Sequence, residues 1–184
     1  MKREEALELL HEYIASENMR KHCYAAESVL RAMAVKLGQD DDRWAIAGLL
    51  HDLDVEKVNA DPKIHGIETA RILAEKGVDP EIVEAIKLHN EMATGLPRTK
   101  IFHHALAAGE TITGLITATA LVYPDKKLAS VKPKSIKKRI HEKAFAASVS
   151  REKILECEVA GIGIDEFIEI SLAAMQAISD DLGL

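Results

Sequence analysis

Cysteine, aromatic residues and long apolar runs are all scarce in this 184-residue chain. The two cysteines, Cys23 and Cys157, lie far apart and form no CxxC pair, which argues against a zinc–thiolate site and indicates a reducing compartment. Aromatic residues make up 4% of the chain, so the core is expected to be aliphatic. No apolar run approaches the ~20 residues of a membrane span, and the acidic N-terminal stretch is unlike a signal peptide. We therefore expect a cytoplasmic protein without a membrane partner.

Basic residues are also fewer than acidic ones. The chain has 24 Lys and Arg residues and 30 Asp and Glu residues, which gives a net charge of −6. An acidic chain is a poor binder of the phosphates of a nucleic-acid polymer. A small phosphorylated ligand held by a local basic patch remains compatible with this composition. The length favours one domain over residues 1–184, with enough chain to bury a core.

Every clear hydrophobic periodicity in the sequence is helical, and no alternating strand pattern of useful length occurs. Gly38 is expected to end one helix, and Asp79 followed by Pro80 is a strong helix start. The segments with the clearest pattern are residues 7–14, 19–37, 44–50, 64–76, 80–89, 100–122 and 165–182. The sequence therefore predicts an all-α fold of eight or nine helices.

Several histidines lie where helical periodicity places the interior. The apolar run in "AGLLHDLD" ends in His51 and Asp52, and His22 and His89 fall on the apolar faces of two other helices. A lone inward histidine is usually a hydrogen-bonded core residue. Burying three imidazoles and a carboxylate is costly without a compensating partner, and a divalent metal ion is such a partner.

Two further residues could join this group. Glu110 lies among small residues of the long helix 100–122, where a metal could approach closely; the alternative is a solvated glutamate. His65 precedes Gly66 in "IHGIETA" at the predicted start of the fourth helix; the alternative is an exposed residue of its first turn.

The ordered series His22, His51–Asp52, His65, His89 and Glu110 resembles the HD superfamily of metal-dependent phosphohydrolases. "GLLHDLD" resembles the HD signature, and "HGIETARIL", "AIKLHNE" and "AGETITGLI" resemble the later ligand helices of its two-metal subfamily. The resemblance implies an HD-domain helical bundle, with a metal-binding core over about residues 18–122 and a helical extension over residues 125–184 that covers it. Glu110 departs from the usual Asp, Asp54 replaces the Gly of the HDIG form, and no GYP signature supports a cyclic-dinucleotide phosphodiesterase.

The resemblance also implies a metal site. His22, His51, Asp52 and Glu110 would hold a first ion, and Asp52 would bridge to a second ion held by His65 and His89. Such an ion pair, ~3.5–4 Å apart, activates a bridging water and clamps phosphate oxygens. Mixed nitrogen and oxygen ligation suits one or two ions of Fe, Mn, Zn, Co or Ni.

Asp54, Glu56 and Asp61 follow Asp52 in the loop and are candidates to orient water or to protonate a leaving group; the alternative is a solvated acidic loop.

Eight of the 24 basic residues fall in the 18 positions from 126 to 143. Lys132, Lys137 and Lys138 of this run are candidate ligands of a substrate phosphate, the alternative being a solvated basic face. The function that fits best is hydrolysis of a phosphate ester of a small metabolite or nucleotide. An HD-type di-iron oxygenase and a non-catalytic nucleotide-binding module remain alternatives.

Overall fold

A computed structural model describes residues 1–184, and its regular structure consists of helices alone. The all-α prediction is confirmed. The α-helices are α1 (Arg3–Tyr13), α2 (Glu17–Leu37), α3 (Asp41–Leu50), α4 (Ile67–Glu75), α5 (Pro80–His89), α6 (Glu91–Thr94), α7 (Ile101–Leu121), α8 (Pro133–His141), α9 (Arg151–Val159), α10 (Ile164–Ala177) and α11 (Ser179–Leu182). A short 3-10 helix, Leu128–Ser130, precedes α8.

Helix ends follow the capping residues of the sequence. Gly38 ends α2 with a φ of 63°, a left-handed conformation that glycine adopts without steric cost. The Asp79 side chain accepts a hydrogen bond from the Glu81 amide, and Pro80 opens α5. Several ends differ from expectation by a few residues, and two of these differences change the local structure. Helix α4 begins at Ile67 rather than near residue 64, and the predicted helix 165–182 divides at Ile178 into α10 and α11.

Glycines at two helix crossings let α3 and α7 approach α2 closely. A Cβ atom on Gly48 of α3 would lie 2.6 Å from the Ala26 carbonyl oxygen of α2, and one on Gly109 of α7 would lie 2.4 Å from a Leu30 methyl carbon. Such distances are shorter than van der Waals contact, so only glycine fits at this separation. The close approach brings the C-terminal end of α3 and the middle of α7 towards His22 of α2.

The core is largely aliphatic and continuous. Its buried members run from Ala6 of α1 to Leu182 of α11, and a stacked pair, Trp44 and Phe102, with ring centroids 5.0 Å apart, is its main aromatic contact. Helices α8 to α10 pack on α7, and α10 and α11 also pack on α2. No helix combines the length and the apolar character needed to cross a bilayer.

Candidate metal centre

Four histidines surround the Asp52 carboxylate at the end of α3. One carboxylate oxygen, Oδ1, lies 3.0 Å from His65 Nε2, 3.2 Å from His51 Nε2 and 3.6 Å from His89 Nε2. The other, Oδ2, lies 3.5 Å from His22 Nε2. Residues far apart in the sequence, from α2, α3, α5 and the loop before α4, therefore direct the same ring atom at one carboxylate.

The opposite ring nitrogen of each histidine already has a partner outside the cluster. The Nδ1 atom of His51 lies 2.8 Å from the Gly48 carbonyl oxygen, and that of His89 lies 2.6 Å from the Ile86 carbonyl oxygen. The Nδ1 atom of His65 lies 2.7 Å from the Asp54 carboxylate, and that of His22 lies 3.0 Å from the Thr113 hydroxyl. The Thr113 hydroxyl donates its own proton to the Glu110 carbonyl at 2.6 Å, so it accepts from His22. Since Nδ1–H is the donor in each neutral ring, the Nε2 lone pair is left for the centre.

The spacing of the Nε2 atoms fits metal ligation. His22 and His51 place their Nε2 atoms 3.1 Å apart, and His65 and His89 do the same. Two inward lone pairs at this distance repel each other unless a proton or a metal ion lies between them. Nitrogen ligands bonded to one ion at ~2.0–2.1 Å and roughly at right angles are themselves about 3 Å apart. The residues present therefore suit a metal ion.

The pKa values of Asp52 and the surrounding histidines are shifted by burial and by their mutual contacts. Burial lowers the pKa of His65, but hydrogen bonds to Asp52 and Asp54 outweigh it and raise that pKa to about 10. Burial raises the pKa of Asp52, yet the neighbouring His51 and the hydrogen bonds from the imidazoles bring it well below its usual range. Burial lowers the pKa values of His22 and His89, which keeps both rings neutral. The two carboxylates that hold a proton on His65 also attract other cations, and a metal ion bound at Nε2 would displace that proton.

Asp54 organises the loop that carries His65. Its side chain is completely buried, and its second oxygen, Oδ2, accepts hydrogen bonds from the amides of Gly66 at 2.8 Å and Thr69 at 3.0 Å. Gly66 has a φ of 90°, a conformation that a residue with a side chain rarely adopts. These contacts turn the chain sharply just before α4, which explains why the helix starts at Ile67.

Most of the predicted metal ligands come together in two groups that share Asp52. The ligand atoms of His22, His51 and Asp52 form one group, and those of Asp52, His65 and His89 form the other, each within a span of 4.8 Å. Glu110 is in neither group. It is half-buried on α7, where its Oε1 accepts a hydrogen bond from the Thr111 hydroxyl at 2.5 Å. Burial lowers the pKa of His22, and the nearby Glu110 opposes that shift without reversing it. The role of Glu110 as a ligand stays a prediction.

The acidic loop residues have contacts of their own. Glu56 accepts hydrogen bonds from the amides of Ala15 and Ser16 at 2.9 and 2.8 Å, which ties the loop to the segment before α2. Asp61 is exposed and accepts a hydrogen bond from the Lys63 amide at 2.9 Å. The proposed catalytic roles of Asp54, Glu56 and Asp61 stay predictions.

The lysines chosen from the basic run are exposed on and beside α8. Lys132 lies at the start of that helix. Lys137 forms an ion pair with Asp165 at 2.6 Å, and Lys138 forms one with Glu142 at 3.5 Å. Both ammonium groups would have to leave these carboxylates to bind a phosphate, and this role too stays a prediction.

Three residues that sequence reasoning did not assign a role lie around the cluster. Thr113 fixes the His22 ring, and the only sequence signal for it is its position three residues after Glu110 on the same face of α7. Lys153 of α9 donates a hydrogen bond to the His89 carbonyl at 3.2 Å. Lys21 lines a cavity that also includes His22.

Comparison with known proteins agrees with this geometry. The model of the HD domain family matches residues 19–140, which contain all four histidines, Asp52 and Glu110 and extend beyond the expected core into α8. No solved structure matches the chain. The HD domain is a metal-dependent hydrolase superfamily and is all-α, as this chain is. The chain belongs to the HD-domain family.

Proposed function

We propose that the protein is a metal-dependent phosphohydrolase that cleaves a phosphate ester of a small metabolite or nucleotide. The observation that carries the proposal is the convergence of four imidazole Nε2 atoms on the Asp52 carboxylate. One carboxylate shared by two ligand groups would allow two ions to lie close together, as in two-ion hydrolytic sites.

The proposed ligands follow the two groups. His22, His51 and Asp52 hold one ion, with Glu110 as a further ligand after rotation of its side chain, and Asp52, His65 and His89 hold the other. Divalent Fe, Mn, Zn, Co or Ni suits these nitrogen and oxygen donors. When bound, the ions supply Lewis acidity to phosphate oxygens and lower the pKa of a water towards ~7.

The remaining residues position these groups and handle protons. Asp54 holds the His65 ring through Nδ1, and Thr113 holds the His22 ring in the same way. Such partners fix the ring tautomer and strengthen the ligand. Among the loop carboxylates Asp54, Glu56 and Asp61, Asp61 is exposed and accepts only a local amide contact. We assign it the exchange of a proton with the leaving group.

The charge of the chain restricts the substrate. With a net charge of −6, a nucleic-acid polymer is a poor substrate, whereas a small phosphate ester needs only local positive charge. Lys132, Lys137 and Lys138 are proposed to supply that charge at the approach to the site, with Lys137 and Lys138 exchanging Asp165 and Glu142 for phosphate.

The test begins with metal analysis of purified protein and a phosphate-release screen over sugar phosphates and nucleotides. We expect bound metal and release of phosphate that depends on it. An oxygen-dependent oxidation at a mixed-valence iron pair would favour the di-iron oxygenase instead. Tight nucleotide binding without turnover would favour the non-catalytic module.

Substitution of the shared carboxylate sharpens this test. Asp52→Ala should remove or weaken both ions and abolish phosphate release. The matched control is Leu49→Ala, one helical turn earlier and fully buried, which should lower the free energy of unfolding by about 2–5 kcal/mol while the folded protein keeps its metal. Metal content of Asp52→Ala equal to that of wild type would rule out Asp52 as a ligand.

A further inference from the structure

A cavity of about 490 Å³ adjoins the histidine cluster. Its wall comes from α2, α7 and the C-terminal segment, and consists of Asn18, Lys21, His22, Thr113, Gly114, Thr117, Ala118, Leu121, Leu182, Gly183 and Leu184. His22 belongs both to this wall and to the first ligand group. The cavity therefore meets the candidate metal centre at one ring.

Two of the four rings reach the surface. The His22 and His65 side chains are 25% and 15% exposed, whereas those of His51 and His89 are 1% and 4% exposed. Of the two accessible rings only His22 lines the cavity, so a molecule in the cavity would reach the cluster past His22. The volume lies within the roughly 300–1,000 Å³ of small-molecule pockets.

The wall of the cavity combines polar and aliphatic side chains. Asn18 is exposed, and Lys21 and Thr117 are half-buried, so their polar groups are accessible to a bound molecule. The Lys21 ammonium lies 2.9 Å from Glu17, a side chain that is itself 80% exposed. Leu121 and Leu182 supply the apolar part. No Phe, Tyr or Trp lines the cavity.

We propose that this cavity binds the organic part of the substrate and that the substrate is the phosphate ester of a sugar or polyol. This inference rests on the proposed phosphohydrolase function and deepens it. An amide, an ammonium and a hydroxyl group match the many hydroxyl groups of a sugar, because each of them forms hydrogen bonds with alcohols. A nucleobase finds no aromatic face to stack on here, and such stacking contributes about 1–3 kcal/mol per base where it occurs.

Access to the cavity is tested with a substitution that fills it. Ala118→Phe places a large ring on the wall, and the matched control Ala173→Phe places the same ring on an exposed position of α10 in a different groove. Each protein is loaded with Mn²⁺ and assayed with glucose 6-phosphate, sorbitol 6-phosphate and adenosine monophosphate. Calorimetric binding of glucose 6-phosphate and the metal content are measured in parallel.

We expect Ala118→Phe to weaken binding and kcat/KM for the two sugar phosphates about tenfold or more, with unchanged metal content. Ala173→Phe should behave as wild type, and wild type should prefer both sugar phosphates to adenosine monophosphate. Thr117→Val removes one hydroxyl at nearly constant volume and should raise KM several-fold, which keeps the test valid if Ala118→Phe does not fold.

Other results would contradict the substrate class, the cavity assignment or the phosphohydrolase function, and the assay distinguishes these three cases. Preference for adenosine monophosphate contradicts the substrate class. Hydrolysis of sugar phosphates with equal KM for Ala118→Phe and Ala173→Phe, or for Thr117→Val and wild type, contradicts the cavity and leaves the phosphohydrolase function standing. Failure of metal-loaded wild type to bind or hydrolyse any phosphate ester contradicts the function itself, and the cavity assignment with it.

Discussion

Asp54 Oδ1 and His65 Nδ1 are 2.7 Å apart, and the carboxylate of this pair is completely buried. The contact fixes the orientation of the His65 ring, whose Nε2 then faces Asp52. A carboxylate behind a ligating imidazole also increases the basicity of the ring. Loss of such a partner typically weakens metal affinity about 10- to 100-fold.

Asp54→Asn is therefore expected to weaken binding of the ion assigned to Asp52, His65 and His89 by about 10- to 100-fold without removing any ligand. The asparagine keeps one oxygen as an acceptor for the amides of Gly66 and Thr69, so the loop retains much of its support. Titration of the metal-free protein with Mn²⁺ or Zn²⁺ measures the effect. The control is Asp61→Asn, exposed in the same loop, which should bind metal as wild type does. Equal affinities for the two variants would contradict a supporting role for Asp54.

The number of ions per chain tests the division into two ligand groups. Wild type should approach two ions at saturation. His65→Ala and His89→Ala should leave about one, because His22, His51 and Asp52 still form a group without them. Elemental analysis after removal of free metal gives the numbers. A wild-type protein that never exceeds one ion would contradict the two-ion site while leaving a single-ion site intact.

The inward histidines could be predicted because helical periodicity decides which residues face the core. His22 and His89 lie on apolar faces of long, regular patterns, and the structure places both rings at the cluster. The capping residues Gly38 and Asp79 were equally informative, since each satisfies backbone groups that a helix end leaves open.

Contacts made by loops and by side-chain rotamers could not be predicted in the same way. The segment between α3 and α4 has no periodicity, so the sequence did not reveal that Asp54 points inwards to His65. Nor does periodicity show that Glu110 contacts Thr111 rather than the histidines, because a helix position sets a face but not a rotamer. The partner of Lys137, Asp165, is 28 residues away and becomes a neighbour only through packing of α8 on α10.

Gly48 allows α3 to pack closely on α2, and its carbonyl also contacts the His51 ring of the candidate metal centre. A Cβ atom at this position would lie 2.6 Å from the Ala26 carbonyl oxygen, a backbone atom that can move only with its helix. Gly48→Ala should therefore push α3 from α2 and lower the free energy of unfolding by about 1–3 kcal/mol. It should also loosen the first ligand group, since His51 lies one turn later and its ring bonds to the Gly48 carbonyl.

Gly163→Ala is the matched control for this prediction. Gly163 has a φ of −62° and its Cβ would meet nothing within 4 Å, so the change in stability should stay within about 1 kcal/mol. Thermal or denaturant unfolding of the metal-free proteins compares the two variants. Equal stabilities would show that α2 and α3 tolerate a wider separation than the structure has.

The basic residues of α8 provide the last prediction, which concerns how phosphate reaches the site. If Lys132, Lys137 and Lys138 bind substrate phosphate, replacing each by Gln should lower kcat/KM about tenfold, the effect of losing a charge-assisted hydrogen bond of roughly 1–3 kcal/mol. Metal content and melting temperature should barely change, because these side chains are exposed. Added salt should weaken substrate binding more in wild type than in the variants.

The ion pair between Lys137 and Asp165 provides a control variant for this prediction. Asp165→Asn frees the Lys137 ammonium from its partner, so under the phosphate role this variant should keep or increase kcat/KM while Lys137→Gln lowers it. If the run is only a solvated face, all four variants should stay within about threefold of wild type, as surface substitutions generally do. Steady-state kinetics on any phosphate ester that the wild type cleaves separates the phosphate-binding role from the solvated face. Values of kcat/KM within threefold of wild type for all three lysine variants would show that this helix does not bind phosphate. Lys21, which is adjacent to His22 in the sequence and shares the cavity wall with it, would then be the remaining basic candidate.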